Sequence, residues 1–311
     1  MELFKKTPSF DFMSRRYVAM VFSAIVLLIA IGSLATRGLN LGIDFTGGTI
    51  IEVGYPESAD LVSVRGQLGG SGYDDAIVQH FGTTREVLIR VAPRDDVSNA
   101  ELSNQIIEVL KGAGDEVEVR RVEFVGPQVG DELTNDGGLA LLYALGGILI
   151  YVYFRFEFRF ALGSVAALIH DVTIVMGVIS IIGMEFNLTV LAAILAVIGY
   201  SLNDTIVVFD RIRENFRKLR KGSTIDVVNV SLNQTLSRTL ITSFTTLLVL
   251  FALFFLGGEV ISGFALALIV GIFVGTYSSI YVASSITLLL GVSKEDLMPP
   301  EKEGEEIDNR P

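Results

Sequence analysis

Two groups of polar residues stand inside long apolar stretches in the second half of the sequence. One is Asn203-Asp204-Thr205, near the end of an apolar stretch, and the other begins with Arg238, at the start of the following stretch. An ionisable residue within a membrane span costs about 2.5–3.5 kcal/mol on insertion scales, so its presence indicates a function. Asp204 and Arg238 fall toward the same end of adjacent stretches, which allows them to pair. Protonation of Asp204 would then release Arg238, as in a proton-driven switch.

The same residues also have a structural interpretation, which spacing alone does not exclude. Arg238 would extend its charged end to the bilayer surface, and Asp204 would bond to neighbouring backbone or hydroxyl groups. Thr242 and Thr245 share a helical face with Arg238, so a polar stripe runs from Arg238 into the apolar stretch. Both interpretations stay open at this point.

A second polar pair, His170-Asp171, lies near the middle of another apolar stretch. Gly163, Ala167 and Asp171 recur every four residues and therefore share one face of a helix. Small residues on that face favour burial against another helix. The spacing thus favours a structural role for the pair over a role in proton flow.

The sequence offers little for metal binding or covalent catalysis. It has no cysteine, which excludes thiolate chemistry and disulfides, and its two histidines, His80 and His170, stand far apart. It also has no nucleotide-binding glycine loop and no nucleophile–base pair. We therefore expect no metal site, no enzyme activity and no cofactor other than protons as the coupling ion.

A stripe of small residues marks the last apolar stretch. Gly263, Ala267, Gly271 and Gly275 recur every four residues along it. Small residues at this spacing let two helix backbones approach closely, so we expect a helix-packing seam rather than a pore.

These residues are positioned by apolar stretches that are long enough to cross a membrane. Half of the 311 residues are hydrophobic, and the mean hydropathy is +0.55. A helix needs about 20 apolar residues to span the hydrocarbon core. Six stretches meet this requirement: 18–36, 137–154, 161–183, 188–209, 239–256 and 261–290. The sequence therefore predicts a polytopic α-helical membrane protein with six transmembrane helices.

The charge pattern predicts the orientation of these helices. Lys and Arg are concentrated in the N-terminal segment and in the short loops on one side, and such segments stay in the cytoplasm. The first stretch is longer than the apolar part of a signal peptide, which favours an uncleaved anchor. The predicted division is a cytoplasmic N-terminus (1–17), a first transmembrane helix (18–36), an outside domain (37–136), a five-helix transmembrane region (137–293) and an acidic cytoplasmic tail (294–311).

The outside domain has a pattern of alternating strands and helices. Strands are predicted at 49–55, 76–81, 86–91 and 116–125, and helices at 60–68 and 98–111. This βαββαβ order is that of a split-βαβ, ferredoxin-like α+β domain. The soluble parts are acidic and the chain has a net charge of −11, so nucleic-acid binding is not expected.

Three long motifs follow one another at the membrane spans. They are GLNLGIDFTGGT (38–49) after the first span, GYSLNDTIVVFDRIREN (199–215) at the end of the fourth, and SRTLITS (237–243) at the start of the fifth. In order and content they resemble the SecD/SecF family of the RND superfamily, and its SecF-type chains in particular. The likeness extends along nearly the whole chain. It implies six spans with one outside domain, which is half of a twelve-span RND-type unit.

The resemblance implies partners and a source of energy. SecF-type chains pair with SecD, and the pair associates with the SecYEG channel, YajC and YidC in the bacterial cytoplasmic (inner) membrane, with both termini cytoplasmic and the outside domain periplasmic. The pair uses the proton motive force to complete the translocation of unfolded secreted proteins across the lipid bilayer after the SecA-driven step. The proton-path residues of the family fall on Asp204 and Arg238 of this chain.

The resemblance also assigns a motif after the first span. Gly42, Asp44, Gly47 and Gly48 would join that span to the outside domain, and paired glycines suit a tight backbone passage. Auxiliary polar residues of the membrane region would be His170, Asp171, Asn203, Thr205 and Thr242.

Two other functions are compatible with the residues. One is half of an RND-type exporter of small molecules or lipids, although such chains usually carry both halves and larger outside domains in one polypeptide. The other is a structural scaffold without proton flow. Copurification with a SecD-like chain would argue against the exporter, and the scaffold predicts that Arg238→Met harms stability but not the coupling of export to the proton gradient.

Overall fold

The computed structural model describes residues 8–94, 97–112, 116–219 and 222–292. The predicted acidic tail, 294–311, lies outside the described residues, as does the start of the predicted N-terminal segment. The first transmembrane helix is α1 (Arg16–Arg37). It is followed by a short strand, β1 (Asn40–Leu41), and by a single helical turn, α2 (Ile43–Thr46).

The outside domain is a four-stranded antiparallel sheet with two helices packed on it. Its elements are β2 (Gly48–Gly54), α3 (Leu61–Gly70), β3 (Ile77–Phe81), β4 (Thr83–Val91), α4 (Asn99–Gly112) and β5 (Glu118–Val125). The strand order is β3-β4-β2-β5, and every neighbouring pair is antiparallel. This is the split-βαβ arrangement, so the predicted ferredoxin-like domain is confirmed.

The helical periodicity of α4 builds the core of this domain. Leu102, Ile106 and Leu110 follow at intervals of four and are completely buried. They pack with Ile51 and Val53, which point to the same face of β2 because side chains alternate along a strand. Burial of each such side chain contributes about 1.5–3 kcal/mol, which is enough to hold both helices on the sheet.

Five further membrane helices follow the outside domain. They are α5 (Pro127–Arg155), α6 (Phe158–Ile182), α7 (Leu188–Lys218), α8 (Thr224–Leu256), and α9 (Glu259–Ser278), which continues through a π-helical turn (Ser279–Ala283) into α10 (Ser284–Leu289). A short strand, β6 (Glu185–Phe186), lies between α6 and α7. The six predicted spans are confirmed.

Several helices extend beyond the apolar stretches that predicted them. Helix α5 begins at Pro127, well before the apolar stretch that starts at 137, and proline suits the first helical turn because its missing N–H is not needed there. Helix α8 is preceded by a capping box in which Ser223 and Asp226 bond to each other's backbone N–H groups. Hydropathy predicts only the part of a helix that lies in hydrocarbon, since capped polar turns are stable in water.

The six helices form an inner and an outer group. About half of the most apolar part of α6, α7 and α9–α10 is buried (50%, 50% and 56%), against 17%, 11% and 17% for α1, α5 and α8. The predicted seam lies at the centre, because a Cβ at Gly271 would collide with Val197 and one at Gly275 would lie 3.0 Å from Cβ of Ser201. Helix α9 therefore packs directly on α7.

Candidate functional site

Asp204 lies on the inner helix α7 and is 3% exposed. Its Oδ2 atom accepts no hydrogen bond from any residue that the structure describes. Of its neighbours in the sequence, Thr205 is buried and Asn203 is exposed. A buried carboxylate oxygen without a donor is energetically costly, so this group needs either a proton or a partner.

Arg238 lies near the start of the outer helix α8, and its side chain is exposed on the bundle. Among the described residues Arg238 and Asp204 form no ion pair, but the two groups lie close enough for an electrostatic attraction. A guanidinium on the outside of a membrane helix is costly in lipid. This position therefore fits a surface that a second protein covers.

The threonines of the predicted polar stripe are satisfied within their own helix. The hydroxyl of Thr242 donates to the carbonyl oxygens of Arg238 and Thr239, each at 3.0 Å. Thr245 and Thr246 bond to carbonyls of α8 in the same way. Such bonds to the preceding turn are usual for threonine in apolar helices. The stripe thus gives no continuous path of hydroxyls from Arg238 into the bundle.

Asp171, on α6, is fully buried and accepts three hydrogen bonds. Its Oδ1 atom lies 2.8 Å from Nδ1 of His170. Its Oδ2 atom accepts bonds from the hydroxyls of Ser201 on α7, at 2.5 Å, and Ser278 on α9, at 2.6 Å. One carboxylate therefore joins all three inner helices at a single point.

The sequence analysis did not identify Ser201 and Ser278 as functional residues. Both are buried, at 1% and 0% exposure. A signal was present for each, since Ser201 precedes Asp204 by one helical turn and Ser278 adjoins the small-residue seam. Ser278 also directly precedes the π-helical turn, a feature that is frequent at functional sites.

A second site lies where the outside domain meets the membrane helices. Oδ2 of Asp44 accepts a hydrogen bond of 2.9 Å from the backbone N–H of Leu188, the first residue of α7. A carboxylate at this position satisfies a free N–H group and interacts favourably with the helix dipole. Strand β1 pairs in parallel with β6 beside it, through Asn40 with Glu185 and Leu41 with Phe186. The motif after the first span is therefore bonded to the outer end of the helix that carries Asp204.

An ion pair also connects the outside domain to the short strand β6 at this site. Arg90 of β4 is 7% exposed, pairs with Glu185 of β6, and donates to the carbonyl oxygen of Leu41 at 3.1 Å. Burial raises the pKa of Glu185 above its ordinary value, while Arg90 opposes that rise. We call Leu41, Asp44, Arg90, Glu185 and Leu188 the outer junction.

The glycines of the motif are required by close backbone contacts. Gly47 has φ +67°, and a Cβ there would lie 2.9 Å from Cα of Pro127. Gly48 has φ +128°, and a Cβ there would lie 2.6 Å from the carbonyl oxygen of Val91. A Cβ at Gly42 would lie 2.7 Å from Oε1 of Glu185. The expected tight passage is thus observed at Gly47 and Gly48, where a positive φ and nearby backbone atoms favour glycine, whereas the closest atom to a Cβ at Gly42 is the flexible end of the Glu185 side chain.

Comparison with protein families assigns this architecture to a class of membrane protein. The family model "Protein export membrane protein SecD/SecF, C-terminal" matches residues 105–293, and the "SecD/SecF GG Motif" matches residues 32–55. The chain therefore belongs to the SecD/SecF family. The second match contains Asp44 of the outer junction and the glycines of the motif after the first span.

Within this family, the chain is similar over its whole length to SecF subunits. It is 57% identical to the protein translocase subunit SecF of Vibrio alginolyticus over 313 residues, which cover 100% of this chain and 99% of that protein. It is 52% identical to the subunit of the same name from Pseudomonas aeruginosa, over 98% of this chain and 99% of that protein.

Solved structures show the same fold as part of a longer chain. SecDF from Thermus thermophilus, described as a translocon-associated membrane protein, matches with a TM-score of 0.84 and 41% identity. A SecDF structure in a super-membrane-facing form matches with a TM-score of 0.70 and 40% identity. In both cases the match covers 93% of this chain but only 39% of the SecDF chain. This chain thus has the length of a SecF subunit and spans about two fifths of SecDF.

Proposed function

We propose that this chain is the SecF half of a SecD–SecF unit that uses the proton motive force to complete the export of secreted proteins after the SecA-driven step. The observation that carries the proposal is the position of Asp204. This buried carboxyl lies on α7, and the outer end of α7 is bonded to the outside domain through Asp44. A change of charge at Asp204 therefore acts on a helix that is connected directly to the outside domain.

The outer helices support a partner that completes the membrane unit. Helix α8 leaves Phe244, Leu248 and Phe255 exposed on the same helix as Arg238. An arginine surrounded by apolar surface suits a protein interface in which a partner supplies an acidic or polar group. The length of SecDF, in which this fold fills 39% of the chain, supports SecD as that partner. In this proposal Arg238 meets the proton path at the boundary between the two halves.

The proposed location is the bacterial inner membrane, with the outside domain in the periplasm. The loop after α7 and the last turns of α7 carry Arg211, Arg213 and Arg217, which favours a cytoplasmic position for that end. The unit would act beside the SecYEG channel, with YajC and YidC, on unfolded secreted chains. The resemblance of the sequence motifs supports these partners.

An export assay with matched aspartate variants tests the proton step. Asp204→Asn keeps the shape of the side chain but cannot exchange a proton, so export should fall to the rate seen when the proton gradient is collapsed. Asp210→Asn is the control, because Asp210 lies on the same helix, is half exposed and pairs with Arg155 at 2.7 Å. Loss of an exposed ion pair changes stability by about 0–1 kcal/mol, so this variant should export normally.

The assay measures release of a secreted protein from cells or vesicles, with and without a protonophore, at equal amounts of membrane-inserted chain. Normal gradient-dependent export in Asp204→Asn would refute the proton role of this residue. Failure to copurify with a SecD-like chain would refute the proposed pairing, whichever result the export assay gives.

A further inference from the structure

The segment just before α1 is bonded to the first turns of α8. We call residues 10–13 of this segment the N-terminal strap. The backbone N–H of Phe10 donates to Oδ1 of Asn233 at 2.8 Å, and Nδ2 of Asn233 donates back to the carbonyl oxygen of Phe10 at 2.8 Å. The backbone N–H of Met13 donates to Oδ1 of Asn229 at 3.0 Å. Because the two asparagines are four residues apart, they face the same side of α8.

Apolar contacts hold the strap in the same place. Met13 is 0% exposed and belongs to one apolar cluster with Val228 and Leu232 of α8. The ring of Phe12 meets the ring of Tyr281 edge-on, with the ring centres 6.0 Å apart. Tyr281 lies in the π-helical turn that follows α9. The strap therefore contacts both the first turns of α8 and the π-helical turn.

Another side of the same turns of α8 contacts α7. Nδ2 of Asn215 on α7 donates to Oγ of Ser231 and to Oε1 of Gln234, each at 2.8 Å. Arg238 follows Gln234 by four residues and therefore shares its face of α8. Asn215 follows Asp204 by about three helical turns, so these two residues share one face of α7. Arg238 is thus on the edge of α8 that is turned toward α7, and Asp204 is on the matching face of α7.

The strap lies on the other side of α8 from Arg238. Arg238 follows Asn229 by about two and a half helical turns, so the two side chains leave α8 in opposite directions. With the strap on one side and Asn215 on the other, the first turns of α8 cannot rotate without breaking hydrogen bonds to both. The rotation that these bonds fix is the one that turns Arg238 toward α7.

Helix α8 depends on such contacts because it is an outer helix. Only 17% of its most apolar part is buried, against 50% for α7. Beyond Arg238, α8 bonds to α9 through the hydroxyls of Ser243 and Thr276, which lie 2.8 Å apart. The strap and Asn215 provide the corresponding contacts before Arg238.

The rotation of α8 matters for Asp204. Arg238 and Asp204 form no ion pair among the described residues, but they lie close enough for an electrostatic attraction. The energy of such an attraction falls as the distance between the charges grows. A change in the rotation or depth of α8 would therefore change how strongly the guanidinium acts on Asp204.

We propose that Asn229 and Asn233 are positioning residues for Arg238. By binding the N-terminal strap, they hold α8 in the rotation that keeps Arg238 within electrostatic reach of Asp204. The effect of this positioning on export rests on the proposed function, whereas the positioning itself does not.

The absence of cysteine from the sequence allows a direct test. Spin labels are attached to the full chain in lipid nanodiscs through Val230→Cys on α8 and Phe158→Cys on α6, two side chains that are 40% and 58% exposed. Pulsed electron paramagnetic resonance then measures the distribution of distances between the labels. We expect the distribution to broaden and to shift when Asn229→Ala and Asn233→Ala are added together, because α8 is then free to rotate.

The control for this measurement is Asn135→Ala. Asn135 is an exposed asparagine on another outer helix, α5, so its replacement should leave the distribution unchanged. If the variant with both alanines inserts normally and gives the same distribution as the parent chain, the proposal is wrong.

An export assay tests what the positioning does. The ratio of the export rate with a proton gradient to the rate with a protonophore is measured at equal amounts of inserted chain. We expect this ratio to fall toward one in the variant with Asn229→Ala and Asn233→Ala, while the rate with the protonophore stays the same. Asn135→Ala should keep the normal ratio. A mere loss of folded protein would lower both rates together.

A chemical tether separates positioning from a general loss of stability. Nδ2 of Asn229 donates to Oδ1 of Asp11 at 2.8 Å. In a chain with Asp11→Cys, Asn229→Cys and Asn233→Ala, a short thiol-specific crosslinker can therefore replace the strap's hydrogen bonds by a covalent link. We expect the ratio to be low before crosslinking and to recover after it. A ratio that stays low after complete crosslinking would contradict the proposal.

Failure of this inference differs from failure of the proposed function. If Asp204→Asn abolishes the gradient dependence while the variant with both alanines keeps it, the link from the strap to export is wrong and the proposed function stands. If Asp204→Asn exports normally, the proposed function fails, and the distance measurement still decides whether the two asparagines position α8.

Discussion

Two aspartates are buried in the same helix bundle, and they differ in how their oxygens are satisfied. Asp171 accepts hydrogen bonds from His170, Ser201 and Ser278. Asp204, one turn beyond Ser201 on α7, has an oxygen to which no described residue donates. The first carboxylate would lose bonds if it were protonated, whereas the second would lose none at Oδ2.

This difference separates a carboxylate that links helices from a carboxylate with an oxygen that lacks a donor. A buried carboxylate with several hydrogen-bond donors ties together the helices that supply the donors. A buried carboxyl without donors is stable only when it is neutral or when a partner arrives. The bundle thus places Ser201, which bonds to Asp171, one turn before Asp204 on α7.

The largest loss of stability is expected when the carboxylate of Asp171 is removed. Asp171→Ala leaves His170 Nδ1 and the Ser201 hydroxyl without their acceptor and leaves Ser278 with only the carbonyl oxygen of Gly275, and breaking a buried charged network costs about 3–5 kcal/mol. Asp204→Asn removes a carboxylate that has an unsatisfied oxygen, so its free energy of unfolding should change by much less. Denaturant unfolding of the two variants in the same detergent measures both values. Equal losses would contradict the distinction between the two aspartates.

A smaller loss of stability is expected when a single hydrogen-bond donor to Asp171 is removed. Ser278→Ala removes one hydrogen bond to a charged acceptor, which is worth about 1.5–3 kcal/mol. Ser279→Ala is the matched control, because the hydroxyl of Ser279 bonds only to the carbonyl of Thr276 in its own helix, at 3.0 Å. The control should lose about 0.5–1.5 kcal/mol. If both serine variants lose the same free energy of unfolding, the bond from Ser278 to Asp171 contributes no more to stability than a bond to a carbonyl oxygen within a helix.

The smallest effect is expected at a third aspartate, which caps α7 from outside. Asp44→Ala removes a cap, and such losses cost about 0.5–2 kcal/mol. Asp60→Ala is the control, because Asp60 caps α3 within the outside domain through a bond of 3.0 Å from Val62 N–H. Hydrogen exchange at the Leu188 amide should increase only in the Asp44 variant. Unchanged exchange there would show that the cap does not hold the outer junction.

The sequence predicts the elements of this fold better than the contacts between them. Six apolar stretches and a βαββαβ pattern are local properties, so hydropathy and periodicity find them. The role of Ser201 and Ser278 depends on the rotation of α7 and α9 around their axes, which a seam of small residues indicates only in part. Depth along the helices predicts that Asp204 and Arg238 lie near each other, and the two groups do interact electrostatically, although Arg238 is exposed on α8 and forms no ion pair with Asp204 among the described residues. Depth along a helix does not determine which side of it faces the bundle.

The contacts of the outer junction are also difficult to predict from the sequence. Strands β1 and β6 have two residues each and pair across a long separation in the sequence, Asn40 with Glu185. No periodicity predicts a ladder that short. The glycines of the motif did indicate a tight backbone passage, because glycine is favoured where another chain segment approaches closely.

The outer junction also has a consequence for how the protein is made. A chain emerges from the ribosome from its N-terminus, and domains fold in that order. The sheet of the outside domain is complete at Val125, whereas Glu185 and Leu188 follow only after two further membrane helices. Until that part of the chain has been made, Arg90 lacks Glu185, although it can already bond to the carbonyl oxygen of Leu41, and Asp44 lacks the N–H group of Leu188. The junction can form only when the outside domain and the first residues of α7 lie on the same side of the membrane.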